Sequence, residues 1–355
     1  MATMLDVARL ANVSVSTVSY ALSDARPVST ATKARVERAM TELGYQRNAA
    51  ARSLASRRSR ILALTFPAMA QGLGDTVSEY IAGAAEEAGQ HGYHLVLWPM
   101  GANHAQEIRD LARQGQADGV ILMEVGLEDP RVDVLRVAGV PFTMIGRTAR
   151  VAGLSYVDVD FARTTEDAVA HLARLGHERI AFLNHSLVSR AGGYGPTVRA
   201  DDGYARAMRR RGLVPRAIFC DENPGAGRAA MAGLLASVPG LTAVITMNEI
   251  ATFGAIVELQ VQDLRIPRDF SVLSIVSSPG VGAMSNPPLT TMHAPGAELV
   301  RLGVGSLLAL LHSGEPPDPV LRSCLLVPGG STGPVREERL AALPVRHQLE
   351  HSNTQ

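Results

Sequence analysis

Small hydroxyl side chains crowd the start of this chain at spacings suited to hydrogen bonding with phosphates and base edges. Ser14, Ser16, Thr17 and Ser19 fall within six residues, with Thr3 ahead of them and Ser29 and Thr32 behind. Val15 and Tyr20 are interleaved with this run, and Lys33 follows it. The charge agrees with that reading. Residues 1–60 hold ten Arg and Lys against four Asp and Glu, a net +6, while the rest of the 355-residue chain carries −6. A basic head on an acidic body suits phosphate contact by the head alone.

The elements that must position these groups are short helices. Thr3-Met4-Leu5-Asp6 reads as a capping box, after which Leu5, Ala8 and a neighbour of Ala11 share a face. Asn12-Val13 makes a turn and Ser14 caps a second helix. On that helix Val18, Ala21 and Leu22 point inward, and Val15, Ser16, Ser19 and Tyr20 outward. Asp24 to Pro27 breaks the chain. Ser29 caps a third helix striped by Val36, Met40 and Leu43, and Gly44 ends it. This spacing is that of a helix-turn-helix, which lays one helix across a DNA backbone and the next in the major groove. Gln46 to Ser59 then forms an alanine-rich strip with one large apolar residue, Leu54, and four arginines. A helix from Asn48 to Ser56 would have about nine residues, short of the roughly 12–15 an isolated helix needs, so it should fold only against a partner.

The run D-V-A-R-L-A-N-V-S-V-S-T-V-S-Y-A-L, the G-Y-x-x-N-A-x-A-R-S-L strip and the strand after it resemble the LacI/GalR family of bacterial transcription regulators, nearly continuously from Thr3 to Pro67. The resemblance implies that Val15 and Ser16 read base edges, with Thr17 and Ser19 near phosphates and Thr3, Ser29 and Thr32 on the DNA backbone. Tyr20, Lys33, Asn48 and Ala51 complete the implied DNA-contacting set. Leu54 matches the residue that wedges into the minor groove and kinks the duplex. Two positions depart from the family pattern. Tyr20 stands where arginine is common, and tyrosine cannot make the bidentate pair to guanine. Arg47 stands where proline is common, which loses a preset backbone angle.

From Arg60 the pattern becomes alternating apolar strands and helices. Strands are expected at 61–66, 93–98, 119–123, 141–146, 179–183, 242–246 and 271–276. Helices are expected at 76–92, 105–114, 129–138, 164–175, 202–211 and 250–260. Such alternation implies parallel sheets covered by helices, and two such halves imply a cleft between them. The landmarks A-D-G-V-I-L-M (117–123), L-G-H-E-R-I-A-F-L (175–183), A-V-I-T-M-N-E (243–249) and N-P-P-L-T-T (286–291) extend the resemblance to about Thr332. The fold class expected is therefore an all-α helix-turn-helix head plus an α/β periplasmic-binding-protein-like effector domain of two parallel-sheet subdomains. The expected division is 1–46 for the head and 47–60 for the hinge. Residues 61–160 with 292–326 form one subdomain, and 161–291 with 327–334 the other. Residues 335–355 form a flexible tail, and the chain crosses between subdomains near Asp160, Thr291 and Val327.

By the same resemblance the cleft draws on Asp75, Thr76, Arg147, Phe161, Arg199, Asn248, Glu249 and Ser277. Sugar-binding members typically carry an aspartate in the segment where this chain has Val276-Ser277, so a less acidic pocket is expected. Arg199 is one residue out of register with the family's R-x-x-G-Y, and Phe161 stands where asparagine is common.

No catalytic set emerges, and no cofactor or metal is expected. His171, His177 and His185 lack the i, i+4 spacing of a helix-borne metal site. Cys220 and Cys324 make neither a disulfide framework nor a zinc cluster. No signal peptide and no run of about 18 apolar residues is present, so a cytoplasmic protein without membrane contact is expected. The expected partners are a double-stranded DNA operator, a small-molecule effector and a second copy of the chain, the last on the family alone. The competing readings are a soluble solute-binding or sugar-metabolising protein on the same body, and a regulator with a vestigial pocket.

Overall fold

Thr3 opens helix α1 (Met4–Leu10) through a reciprocal cap. Its hydroxyl accepts from the Asp6 amide at 3.3 Å, while the Asp6 carboxylate accepts from the Thr3 amide at 2.9 Å. These hydrogen bonds from Thr3 hold the Asp6 carboxyl below its ordinary range. The computed structural model describes residues 2–23, 26–45, 58–66, 75–99, 107, 108, 110 and 114–336. Within it, residues 1–59 and 60–355 are two separate compact units.

In the first unit α2 (Val15–Ser23) follows a turn in which Asn12 takes a φ of 52°. Ser14 Oγ accepts from Thr17 N at 3.0 Å. Ser29 caps α3 (Thr30–Leu43), which ends on left-handed Gly44 at φ 57°. Val7, Ala8, Ala11, Val18, Val36 and Ala39 make the core. Leu5, expected on the inward face, is instead 48% exposed and Val7 takes its place. Residues two apart on a helix lie about 200° apart around its axis, so the buried face runs through Val7, Ala8 and Ala11 instead of Leu5.

The second unit holds two six-stranded sheets. The first has the order β11-β5-β4-β3-β1-β2, from β1 (Ile61–Phe66), β2 (His94–Pro99), β3 (Gly119–Leu122), β4 (Phe142–Ile145), β5 (Tyr156–Val159) and β11 (Val320–Arg322). The second has the order β12-β10-β9-β8-β6-β7, from β6 (Ile180–Asn184), β7 (Ala217–Phe219), β8 (Ala243–Thr246), β9 (Ser271–Ile275), β10 (Thr290–His293) and β12 (Leu325–Val327). All pairings are parallel except β10 with β12. Strands β3, β6, β8 and β9 are buried at every residue, as parallel strands covered on both faces must be.

The chain passes between the sheets at Asp160, between His293 and Gly296, and between Arg322 and Leu325. The second and third passages differ from the expected Thr291 and Val327, because Thr291 lies inside β10 and Val327 ends β12. Five strands were not anticipated: β5, β7, β10, β11 and β12. The expected helix at 105–114 lies largely outside the described residues, as do the hinge positions Asn48, Ala51 and Leu54 and the tail beyond Arg336.

Helices cover both sheets. Helix α4 (Asp75–Gln90) packs on α12 (Gly296–Ser313) in the first subdomain, where α5 (Pro130–Ala138) also belongs. Helix α6 (Phe161–Arg174) packs on α8 (Gly195–Arg210), with the short α7 (Leu187–Ala191) between them in sequence. Helices α9 (Pro224–Ser237) and α10 (Glu249–Val261) approach so closely that a Cβ on Gly227 or Gly254 would overlap the facing backbone. The short α11 (Pro279–Ala283) precedes β10. Among the described residues no helix is long and apolar enough to cross a membrane.

Candidate functional site

Two surfaces collect the chemistry-bearing residues, one on each unit. On the first unit, Val15 and Ser16 at the start of α2 are exposed, and Thr17, Ser19 and Tyr20 are half-buried. Ser14 Oγ lies 2.7 Å from Ser16 Oγ and 2.8 Å from Thr17 Oγ1, so the hydroxyls form one connected patch. Thr3 and Ser29 are exposed caps, and Thr32 Oγ1 lies 2.9 Å from Ser29 Oγ. Lys33 is on the first turn of α3. One residue that sequence reasoning missed joins this patch. The Arg26 guanidinium stacks 5.2 Å over the Tyr20 ring, setting a cation beside the position where the arginine is missing.

On the second unit, the cleft is built from residues at the carboxyl ends of strands, where open α/β sheets place ligands. The segment after β3 is held by Arg131. Its Nη2 donates to the carbonyls of Met123 at 3.0 Å and Glu124 at 3.1 Å, and Nε and Nη2 grip Asp129 at 2.9 and 2.7 Å. Asp129 also caps α5. Glu124 takes a φ of 54° in this clamp, and its carboxylate hydrogen-bonds the Tyr194 side chain. Desolvation pushes the Glu124 carboxyl up.

Main chain crosses the cleft at the same place. Gly126 pairs with Tyr194 in an antiparallel bridge, Leu127 N donates to Gly193 O at 2.7 Å, and Gly195 N donates to Val125 O at 3.2 Å. Beyond Tyr194, His185 Nδ1 lies 2.7 Å from Glu222 Oε1, a contact that lowers the Glu222 pKa. The cleft thus carries the carboxylates of Glu124, Asp158 and Glu222. None of these three carboxylates was among the expected effector residues.

The expected effector residues are only partly gathered. Arg147 and Arg199 meet: Arg199 Nη2 donates to the carbonyls of Arg147 at 2.8 Å and Thr148 at 3.1 Å. Arg147 Nη1 sits 3.2 Å from Asp158 Oδ2, without the geometry of a hydrogen bond. Phe161 is 3% exposed and packs in the main core beside Val159 and Tyr204, so its ring is occupied by packing. Asn248 caps α10 and donates to the carbonyls of Cys220 at 3.3 Å and Asp221 at 3.4 Å, leaving little for a ligand. Glu249 follows on the first turn of α10. Ser277 is fully buried, and its Oγ has no partner. Asp75 and Thr76 begin α4, and their side chains lie outside the described residues.

The histidines occupy three separate places. His171 Nε2 lies 3.0 Å from Thr332 Oγ1. His177 is buried against Thr242, Ser271 and Gly333, which pulls its pKa down to about 4, chiefly through burial. His185 faces the cleft with Glu222. Glu124, Tyr194, Asp158, Thr197 and Glu222 were not anticipated, and only the G-G-Y-G run at 192–195 marked the cleft crossing in sequence.

Comparison with known proteins matches each unit to a known kind of domain. Residues 3–48 match the family described as bacterial regulatory proteins, lacI family, and residues 169–332 match a periplasmic binding protein-like domain. The HTH-type transcriptional regulator AglR of Rhizobium meliloti is 31% identical, over 92% of this chain and 93% of that protein. The ribose operon repressor of Escherichia coli is 31% identical, over 87% of this chain and 92% of that protein. Among solved structures, the lac repressor dimer bound to operator and the anti-inducer ONPF superposes with a TM-score of 0.80 at 25% identity, over 94% of this chain and 99% of that one. The complex of the transcriptional regulator CelR with cellobiose gives 0.70 at 27%, over 93% and 100%. The chain belongs to the LacI family of bacterial transcriptional regulators.

Proposed function

We propose that this regulator binds a pseudo-palindromic operator as a homodimer and represses transcription until a small-molecule effector in the cleft alters its DNA affinity. The observation that carries the DNA half is the capped α1–turn–α2 unit, which holds Val15 and Ser16 outward on a rigid helix start. On that surface Val15, Ser16 and Tyr20 read bases, and Thr3, Thr17, Ser19, Ser29, Thr32 and Lys33 contact the backbone. Asn48, Ala51 and Leu54 belong to a hinge in which Leu54 wedges into the minor groove.

A dimer is supported by α10, where Ile250, Val257 and Val261 fall on one stripe and are 41%, 45% and 55% exposed, with Phe253 half-buried between them. The lac repressor solved with operator is likewise a dimer. Two-fold protein symmetry is mirrored in a two-fold operator. The effector half is supported by the cross-cleft bridge, a small set of main-chain contacts whose making or breaking a ligand could bias. CelR was solved with cellobiose and a relative represses a ribose operon, so a sugar or related metabolite is the effector class proposed. Coupling of about 1–3 kcal/mol between the sites is typical of such linkage.

Binding-site selection with the full chain tests the reading. Enrichment of an inverted repeat, bound by two chains, is expected. Enrichment of no sequence, or binding by single chains alone, would refute it.

A further inference from the structure

The first turn of α8 meets the cleft, with the Gly195 amide bonded to the Val125 carbonyl and the Val198 amide to the Tyr194 carbonyl. Its cap residue, Tyr194, makes no side-chain capping bond, and Pro196 has no amide hydrogen to give. The Thr197 hydroxyl on that turn is fully buried and has no partner. Helix α8 runs for sixteen residues, so the partial charge at this end is fully developed.

Two guanidinium groups converge on the same turn. Arg199 lies against Gly195, and its Nη1 is buried without an acceptor although Nη2 bonds the carbonyls of Arg147 and Thr148. Arg147 Nη1 is also buried without a hydrogen-bond acceptor, its one partner being the Asp158 carboxylate at 3.2 Å in an ion pair that lacks hydrogen-bond geometry. One carboxylate therefore stands against two cations and a helix terminus. Burial outweighs both arginines and pushes the Asp158 carboxyl up to about 6. The other cleft carboxylates are already engaged, Glu124 by Tyr194 and Glu222 by His185. Buried donors without acceptors disfavour the closed cleft, and a bound anion would remove that penalty.

We propose that the effector carries an anionic group, a carboxylate or a phosphate, that seats between Arg147, Arg199 and the first turn of α8. Asp158 is then a positioning residue, holding Arg147 toward the anion. This rests on the cleft being the effector site, and it adds the ligand's chemical class.

The test is thermal shift and calorimetry on the full chain, using matched triples: a neutral sugar, its uronate and its phosphate ester, starting from glucose, glucuronate and glucose 6-phosphate. Inorganic phosphate at equal concentration is the control. Stabilisation is expected from an acidic member and not from its neutral parent, the uronate arm marking a carboxylate and the ester arm a phosphate. Because Arg147→Met alone would strand a buried carboxylate, the variant is Arg147→Met with Asp158→Asn, which leaves neither charge. It should keep the wild-type melting temperature without ligand and bind the acidic member at least about tenfold more weakly. Neutral sugars binding as tightly as acidic ones, with the double variant unaffected, would overturn the anionic class and leave the effector cleft standing. Stabilisation by inorganic phosphate to the same extent would overturn it as non-specific. If no member of any triple binds, both readings fall.

Discussion

The Arg26 guanidinium lies 5.2 Å over the ring of Tyr20, so the loop after the second helix sends a cation back onto the recognition surface. Such a stack contributes about 0.5–1 kcal/mol at an exposed site, enough to orient a long side chain. Tyr20→Phe keeps the ring and should retain operator affinity, while Tyr20→Leu and Arg26→Ala should each weaken it. Lys33→Ala should weaken all sequences alike and lower the salt slope by about one ion. Titrations on selected and scrambled DNA at several salt concentrations check this. Equal loss from Tyr20→Phe would move the role from the ring to the hydroxyl.

Gly195 offers a way to open the cleft by crowding alone, since a Cβ there would press on both the Arg199 guanidinium and the facing main chain. A Cβ there would sit 2.8 Å from the Val125 carbonyl, which the Gly195 amide itself bonds. Gly195→Ala should break the Val125–Leu127 to Gly193–Gly195 bridge and cost about 1–3 kcal/mol of stability, as overpacking does. X-ray scattering should show a more open second unit. An unchanged scattering profile and melting temperature would mean that the bridge does not govern closure.

His177 ties Gly333 to β8 and β9 in its neutral form. A carbonyl can only accept, so Nε2 carries the proton toward Gly333 and Nδ1 accepts from Thr242. Its folded pKa of about 4 lies below the ordinary 6.5, so its contribution is complete above pH 6.5. As pH falls from 6.5 to 4 the unfolded chain takes a proton that the folded chain refuses, removing about 3 kcal/mol. Asp158 acts in the opposite sense, since its raised pKa makes its burial less unfavourable as pH drops through about 6. The informative quantity is therefore the difference between wild type and His177→Gln. Urea denaturation should show that difference shrinking from pH 7 to pH 4, and a constant difference would contradict the assignment.

Val257 lies mid-stripe on α10 and is exposed. Val257→Lys should leave the monomer folded and shift sedimentation toward a single chain. Operator affinity should then become steeply dependent on protein concentration. A dimer that survives the lysine would place the interface elsewhere.

What could be read from sequence was what local chemistry decides. Ser14, Ser29 and Gly44 announce helix ends because caps are properties of a few neighbouring residues, and β3, β6 and β8 announce themselves as unbroken apolar runs. Strands β11 and β12 gave no such signal: each is three residues long and largely exposed, with no alternation to detect. The start of α8 was missed because Gly195-Pro196 resembles a turn, although proline in the first helical turn is equally ordinary. In the cleft, family position pointed to Arg147 and Arg199, which the structure brings together, but not to Asp158, whose place depends on what faces it. Phe161 misled for the same reason, since a residue at a ligand position can turn into the core when its side chain changes from polar to aromatic.

The passages between the sheets bear on synthesis as well as on architecture. Strand β5 ends at Val159 and its neighbour β11 begins at Val320, with 160 residues between them. The first sheet also waits for α12, whose Leu299, Val300, Val304 and Leu307 supply part of its core. While the ribosome makes residues 180–293, five contiguous strands of the second sheet emerge and can pair, but the first sheet keeps a bare edge and an uncovered apolar face. The half of the second unit translated first is the half completed last, so a nascent chain stalled before Gly296 should be a substrate for chaperones rather than a partly folded domain.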